Sequence, residues 1–132
     1  DLIPDVALVE TDLDGLEELP LGDESELERG DPLLTVGHPG SVGEWIMSIG
    51  RHESYEPGID WLLSTVPTSQ GNSGGPLLTV DGDVVGVVSG STSGSNEDYS
   101  KSETLYTELP SSEELTTSVP AATLVESVDG WI

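Results

Sequence analysis

Short apolar runs separated by turn residues dominate the pattern along this chain. They lie at positions 33–36, 61–66, 77–80 and 84–88. Runs of this length, bounded by Gly, Pro, Asn and Asp, are typical of buried β-strands. The Asp81-Gly82 dipeptide separates the last two runs, which predicts a β-hairpin there. The pattern therefore predicts an all-β fold.

Weaker patterns predict the other elements. Asp5–Val9 reads as a short buried strand, positions 43–51 as a strand in which Trp45, Met47 and Ile49 alternate with other residues, and positions 114–119 as a last strand. Four to six short strands at roughly even spacing favour a small barrel or a sandwich. Pro120 suits the first turn of a closing helix. The core-facing stripe expected on that helix comprises Leu124, Val125, Val128 and Trp131.

Two stretches lack this periodicity. Asp12–Arg29 is an acidic connector with a turn predicted at Leu21-Gly22-Asp23, and Ser89–Thr104 is rich in Ser, Gly, Thr and acidic residues. The second stretch is therefore expected to be a surface loop or an insertion.

The charge of the chain restricts its partners and its solution conditions. The chain has 132 residues, 26 of them acidic and 3 basic, with a formal net charge of −23. No basic patch can form, so nucleic acid is an improbable partner. The apolar runs argue against disorder, and a fold adapted to molar salt fits the composition better. Without cysteine no disulfide framework exists, and because the sequence opens at Asp1 we expect a fragment or processed product of a longer chain.

The most informative motif is Gly71-Asn72-Ser73-Gly74-Gly75-Pro76. A serine flanked by glycines on a tight turn is how several hydrolase folds expose a nucleophile. No helix follows Ser73, so the strand–serine–helix elbow of α/β hydrolases does not fit. The plain alternative is a Gly-rich turn before a strand.

These residues resemble the chymotrypsin-fold (trypsin-like) serine proteases, and within them the HtrA/Deg branch. The resemblance implies a six-stranded antiparallel Greek-key barrel, namely the second barrel plus the strand that bears the aspartate, with a short C-terminal helix. Residues 1–30 would then be the end of a first barrel and an acidic connector, and residues 31–132 the C-terminal barrel with its helix at about 120–131. The matching segments are Gly71–Pro76, Asp5–Leu8, Leu19–Asp23, Gly30–Pro39, Gly82–Ser89 and Ser118–Pro120.

The same resemblance implies site roles. Ser73 would be the nucleophile, Asp5 would orient the base, and the N–H groups of Gly71 and Ser73 would form the oxyanion hole. Asn72 stands where trypsin has an aspartate that captures a new N-terminus, so activation by that route is not expected. The substrate pocket would be formed by Pro67, Ser89, Gly90 and Ser91, and with no charge in that set we expect a preference for small or apolar side chains.

The catalytic histidine of this family precedes its aspartate. The two histidines of this chain, His38 and His52, both follow Asp5. The order Asp5, histidine, Ser73 matches subtilisin formally, but that fold needs parallel strands and helices. We expect His38 to be a surface residue on the oxyanion side and His52, beside Arg51 and Glu53, to be solvated. The triad is therefore predicted to be incomplete in this chain.

The leading hypothesis is a serine endopeptidase that forms an acyl-enzyme on Ser73 and draws its histidine from a missing N-terminal barrel. Its partners would be a peptide or protein substrate and that barrel, in an extracellular or cell-surface setting. No cofactor or metal is expected, since no spacing matches a calcium loop or a zinc site. A catalytically inactive domain that binds extended peptides by β-augmentation is the alternative. A third hypothesis is an acidic surface domain that shares only the fold of these proteases.

The charge predicts salt-dependent folding. Because mutual repulsion of the carboxylates is screened by added ions, we expect the isolated chain to be unfolded or associated in low salt and compact in molar salt. Circular dichroism across a salt titration measures this. A spectrum that stays unchanged down to millimolar ionic strength would contradict the prediction.

Overall fold

Six antiparallel strands form a closed barrel in the computed structural model, which describes residues 4–40, 44–92 and 114–132. Around the barrel the strands follow the order β1-β2-β3-β6-β5-β4, and a C-terminal helix, α1, follows β6. The predicted fold class is confirmed. The elements are β1 (Pro32–Gly37), β2 (Ile46–Glu56), β3 (Trp61–Ser64), β4 (Pro76–Thr79), β5 (Val84–Ser91), β6 (Thr116–Pro120) and α1 (Ala121–Trp131).

The barrel interior combines aliphatic side chains with small hydroxyl side chains. Leu33, Leu62, Val66, Leu77 and Val85 form the central cluster, and each is at most 1 % exposed. Burying a side chain of this size contributes about 1.5–3 kcal/mol. Around the cluster lie small buried polar residues, which are Thr35, Ser48, Ser64 and Ser118.

Barrel closure sets the orientation of β2. Met47 and Ile49 point outward with 57 % and 55 % exposure, whereas Ser48 and His52 are buried. Ser48 lies opposite Thr35 of β1, another fully buried hydroxyl residue, so small side chains fill this narrow part of the interior. Met47 and Ile49, which alternate with Ser48 along the strand, therefore lie on its outer face.

The segment that carries Asp5 is not a strand. Residues 4–10 have no regular secondary structure, and Leu8 and Val9 are 56 % and 80 % exposed. A strand needs a neighbour for its backbone groups, and no strand of the described residues pairs with this segment. The predicted buried strand at Asp5–Val9 is thus wrong for this chain.

The end of the acidic connector is attached to the barrel. The N–H of Gly22 donates to the carbonyl of Val84 at 2.8 Å, and the N–H of Val84 donates to the carbonyl of Pro20, also at 2.8 Å. A single 3-10 turn, Glu24–Glu26, follows with Asp23 as its N-cap. These contacts hold the connector beside the first residue of β5.

Helix α1 packs against β5 and β6 through part of the expected stripe. Leu124 and Val128 are half-buried, but Val125 and Trp131 are 39 % and 52 % exposed. The helix ends the chain after 11 residues, and no helix in the described ranges is long and apolar enough to cross a membrane. Of the predicted loop Ser89–Thr104, residues 89–91 belong to β5 and residues 93–104 lie outside the described residues.

Gly50 permits a close approach inside the barrel. A Cβ at this position would lie 2.5 Å from the Cα of Val66 and 2.6 Å from the carbonyl carbon of Thr65. Both are backbone atoms, which cannot move aside as a flexible side chain can. Glycine in a strand often marks such an approach.

We predict that Gly50→Ala destabilises the barrel by about 3 kcal/mol, because the added methyl group overpacks the interior. Gly58→Ala is the matched control, since nothing lies within 4 Å of a Cβ in the turn after β2. The control should change stability by less than about 0.5 kcal/mol. Urea unfolding of both variants at one salt concentration measures the difference, and equal midpoints would contradict the prediction.

Candidate active site

The predicted nucleophile turn, Gly71–Pro76, lies between β3 and β4 and is fixed to β5. Within it, the N–H of Gly75 donates to the carbonyl of Asn72 at 3.0 Å. Toward β5, the N–H of Gly74 donates to the carbonyl of Val88 at 2.8 Å, and the N–H of Val88 donates to the carbonyl of Gly75 at 2.9 Å. Ser73 is exposed at the tip of this turn. The sheet therefore holds the serine at the surface.

Gly71 has a backbone conformation that the turn requires. Its φ is +109°, and a Cβ there would collide with the carbonyl oxygen of His38 and lie 2.9 Å from the carbonyl carbon. Within the described part of the chain, no group accepts a hydrogen bond from the N–H of Gly71 or of Ser73. Two free N–H groups in one turn, beside an exposed hydroxyl, are what an oxyanion hole needs.

Ser89 connects the serine to the aspartate. The hydroxyl of Ser73 donates to the backbone carbonyl of Ser89 at 3.1 Å. The hydroxyl of Ser89 in turn donates to the carboxylate Oδ2 of Asp5 at 2.5 Å. Asp5 is thus brought to the site although it lies 68 positions before Ser73 in the sequence, and its segment is anchored by a residue of β5.

A small cavity opens beside Ser73. Its volume is about 30 Å³. Gly90 and Ser91, two of the predicted pocket residues, line it, whereas Pro67 and Ser89 do not. Sequence reasoning missed two hydroxyl residues just before the nucleophile turn that also contribute to the wall. The lining residues are Thr68, Ser69, Ser73, Val88, Gly90 and Ser91.

Asn72 lies beneath the turn. It is 2 % exposed, and neither its Oδ1 nor its Nδ2 has a hydrogen-bond partner. Its amide packs against Gly37 at the end of β1, where a Cβ would lie 3.2 Å from the amide carbon. A carboxylate here would be buried without a counter-charge, at a much larger cost than an amide. The site is thus built for a neutral side chain.

Within the described residues, neither histidine forms a hydrogen bond with the hydroxyl of Ser73, which donates to Ser89. His38 is exposed, and its ring meets Trp45 edge-on with a centroid distance of 4.6 Å and an angle of 61°. His52 is 6 % exposed and its Nδ1 has no partner, so the expectation that it is solvated is wrong. The alternation along β2 turns it inward, between Asp31 and β3.

Burial sets the protonation state of His52. Loss of solvent lowers the pKa of His52 below its ordinary value, and the carboxylates of Asp31 and Glu53 act in the opposite direction. Arg29 binds Glu53 at 2.5 Å, which compensates one of these two carboxylates. In the folded chain the neutral imidazole is therefore favoured near neutral pH.

Metal ligands do not converge in the described part of the chain. No group of three or more His, Asp or Glu side chains there could hold an ion. Carboxylate pairs along the connector lie in an exposed segment.

Comparison with known proteins agrees with this geometry. The model of the trypsin-like peptidase domain matches residues 1–87, a range that includes both Asp5 and Ser73. The chain belongs to the trypsin-like peptidase domain family. Within it, the chain is related to the HtrA/DegP serine endoproteases.

Two curated relatives illustrate this. A probable periplasmic serine endoprotease, DegP-like, from Halomonas elongata is 36 % identical over 88 residues, which cover 63 % of this chain and 19 % of the relative. The protein of the same description from Pseudomonas fluorescens is 38 % identical over 88 residues, covering 63 % of this chain and 18 % of its own length. The chain thus matches about a fifth of the length of these relatives.

Solved structures match the fold of this trypsin-like peptidase domain. The HtrA-type protease AlgW with tripeptide has a TM-score of 0.67 at 22 % identity, over 91 % of this chain and 37 % of that one. A related HtrA-type chain with decapeptide has a TM-score of 0.70 at 20 % identity, over 91 % of this chain and 34 % of its own. At these identities the likeness concerns the barrel and its helix.

We predict that His52 makes stability fall in mild acid. Because its pKa is lower in the folded than in the unfolded chain, the unfolded chain binds the proton first as the pH falls below about 6.5. Above that pH the contribution of His52 to the stability of the folded state is therefore complete. This contribution is lost as the pH falls through the folded-state pKa of His52.

His52→Gln removes this titration, so the stability of the variant should depend less on pH between about pH 7 and about pH 5. Urea unfolding of both proteins at fixed salt measures the two slopes. The comparison uses slopes, because the substitution also changes packing. Parallel slopes would contradict the prediction.

Proposed function

We propose that this trypsin-like domain is part of a serine endopeptidase that cleaves peptide bonds through an acyl-enzyme on Ser73. The observation that carries this proposal is the pair of hydrogen bonds that link Ser73 to Ser89 and Ser89 to Asp5, beside two N–H groups for which the described residues provide no acceptor. A domain kept only for its fold has no physical need for this combination.

The mechanism follows from these positions. The Oγ of Ser73 attacks the carbonyl carbon of the scissile bond while a base removes its proton. The oxygen of the tetrahedral intermediate then carries the negative charge, and the N–H groups of Gly71 and Ser73 donate to it. Each such donor is worth about 2.7–4 kcal/mol of barrier. Collapse expels the amine, which takes the proton from the base, and water later releases the acyl group.

The base in this proposal is an imidazole from outside the sequence. Asp5 would accept its N–H and fix its orientation. The ring of His38 meets Trp45, and His52 is buried in β2. Without a base, the oxyanion hole and substrate binding alone give a rate of roughly 10³–10⁴ over water.

A first barrel would supply this imidazole. Support comes from the apolar residues that this chain leaves exposed. Met47 and Ile49 face outward from β2, and further apolar side chains lie along the extended segment after Asp5. A surface of this kind supports contact with another barrel where the exposed side chains adjoin one another. The exposed side chains of the segment are Leu8, Val9, Leu13, Leu16 and Leu19.

The cavity beside Ser73 supports a preference for small side chains before the scissile bond. Its volume of about 30 Å³ has room for about two or three water molecules. The described residues of its wall carry hydroxyl groups and no charge, so a basic or acidic side chain would be desolvated among them without a partner. Alanine, serine and similarly small residues fit best.

An inactive domain that binds extended peptides is the second candidate. The observation in its favour is that the hydroxyl of Ser73 donates to a backbone carbonyl, while His38 meets Trp45 and His52 is buried. The two free N–H groups of the turn would be of no use to such a domain, which is why the endopeptidase is preferred. We also infer adaptation to concentrated salt, which the net charge of −23 supports.

We predict that a fluorophosphonate probe labels Ser73 only when the upstream segment with the base is present. Three proteins are compared in molar salt by intact mass, namely this chain, a longer protein that includes the upstream segment, and that longer protein with Ser73→Ala. Labelling of the longer protein alone is the expected result, because a hydroxyl without a base is a poor nucleophile.

The other outcomes are equally informative. Labelling of this chain alone would mean that a group within it activates Ser73, which contradicts the proposed external base. No labelling of either unsubstituted protein would contradict the endopeptidase and favour the peptide-binding domain.

A further inference from the structure

His38 and Trp45 form an exposed aromatic pair at the end of the β1–β2 hairpin. The ladder between these strands ends at Gly37 and Ile46, so the two residues are the first beyond it on either side. Their rings meet edge-on at 4.6 Å, and the indole is 73 % exposed. The pair therefore presents a large apolar surface to solvent.

The backbone of Trp45 is strained. Its φ is +58°, in the left-handed region that bulky residues rarely adopt. Such a conformation costs on the order of 1–3 kcal/mol, and residues of this kind cluster at functional sites. Burial of the indole does not offset the cost, because the ring faces solvent. The strain thus holds an aromatic ring outward beside His38.

This pair borders the nucleophile turn on the side opposite the cavity. The carbonyl of His38 packs against Gly71, and the N–H of Gly40 donates to the carbonyl of Gln70 at 3.0 Å. The cavity lies on the other flank, where Val88 and Gly90 of β5 form its wall. In the barrel, β4 separates β5 from β1, so the turn that leads into β4 has the cavity on one side and the aromatic pair on the other.

A bound peptide must cross this turn. If the side chain before the scissile bond enters the cavity and the carbonyl oxygen points to the N–H groups of Gly71 and Ser73, the chain after the scissile bond leaves toward β1. His38 and Trp45 are the large side chains there. We propose that they bind an apolar or aromatic side chain of the first or second residue after the scissile bond, an inference that rests on the proposed function.

Aromatic contacts are the physical basis of this proposed preference for an apolar or aromatic side chain. The indole meets His38 edge-on and has most of its surface free, so a substrate ring can stack on it or contact its edge. Such a pair contributes about 0.5–1.5 kcal/mol beyond the buried area, which corresponds to a roughly three- to tenfold gain in affinity. His38 acts as a positioning residue that supports the indole.

The test measures binding, so it does not depend on catalysis. The whole protein carries Ser73→Ala, which leaves peptides bound and uncleaved. Two peptides are compared that share an alanine for the cavity and differ only in the residues after it, with Phe in one and Gly in the other. We expect the Phe peptide to bind about three- to tenfold more tightly, and to change the indole fluorescence.

Trp45→Ala should abolish this preference and the fluorescence change. Met47→Ala is the matched control, because Met47 is an exposed apolar residue on the same face of the hairpin, further from the turn. It should keep the preference. His38→Ala should reduce it.

Equal affinities for the two peptides, or a preference that survives Trp45→Ala, would overturn the inference. An equal loss in Met47→Ala would also overturn it, because the effect would then belong to the whole outer face of β2. Failure of the proposed function appears in the separate phosphonylation experiment, as a Ser73 that no probe labels, and is thereby distinguished from failure of this binding preference.

Discussion

The close backbone contact between the nucleophile turn and the end of β1 is the constraint on which the site depends. Gly71 packs against the carbonyl of His38, and Gly37 packs against Asn72. Side chains at either glycine would separate the two segments. The turn has a positive φ at Gly71, and no group of the described residues accepts a hydrogen bond from the N–H groups at positions 71 and 73.

The second anchor of the site is β5, which serves several purposes at once. Val88 fixes the turn through two backbone hydrogen bonds, and Ser89 accepts from Ser73 while it donates to Asp5. Gly90 and Ser91 then form part of the cavity wall. Consecutive residues of one strand thus set the position of the nucleophile, of the aspartate and of the cavity. A closed barrel is suited to this task because none of its strands can shift without its neighbours.

Polar groups inside the barrel make this arrangement sensitive to conditions. The amide of Asn72 and the Nδ1 of His52 are buried without partners, and an unsatisfied buried group costs about 1–3 kcal/mol. Together with the net charge of −23, these groups reduce the stability that the aliphatic cluster supplies. Proton binding at His52 lowers the stability of the folded state, whereas screening of the carboxylates by added ions raises it.

The sequence by itself determined the class of the fold and the place of the glycine-rich turn that carries Ser73. Apolar runs with a period suited to strands are local signals, and a serine between glycines is one too, so β1, β4, β5 and Ser73 were found without the structure. Which face of β2 points inward depends on the closure of the barrel. The segment around Asp5 is exposed because no strand of the described residues pairs with it. The link through Ser89 joins residues that are far apart in the chain. The burial of His52 and the pairing of His38 with Trp45 depend on which way a strand faces. Tertiary structure decided these features, because they follow from distances that no local pattern encodes.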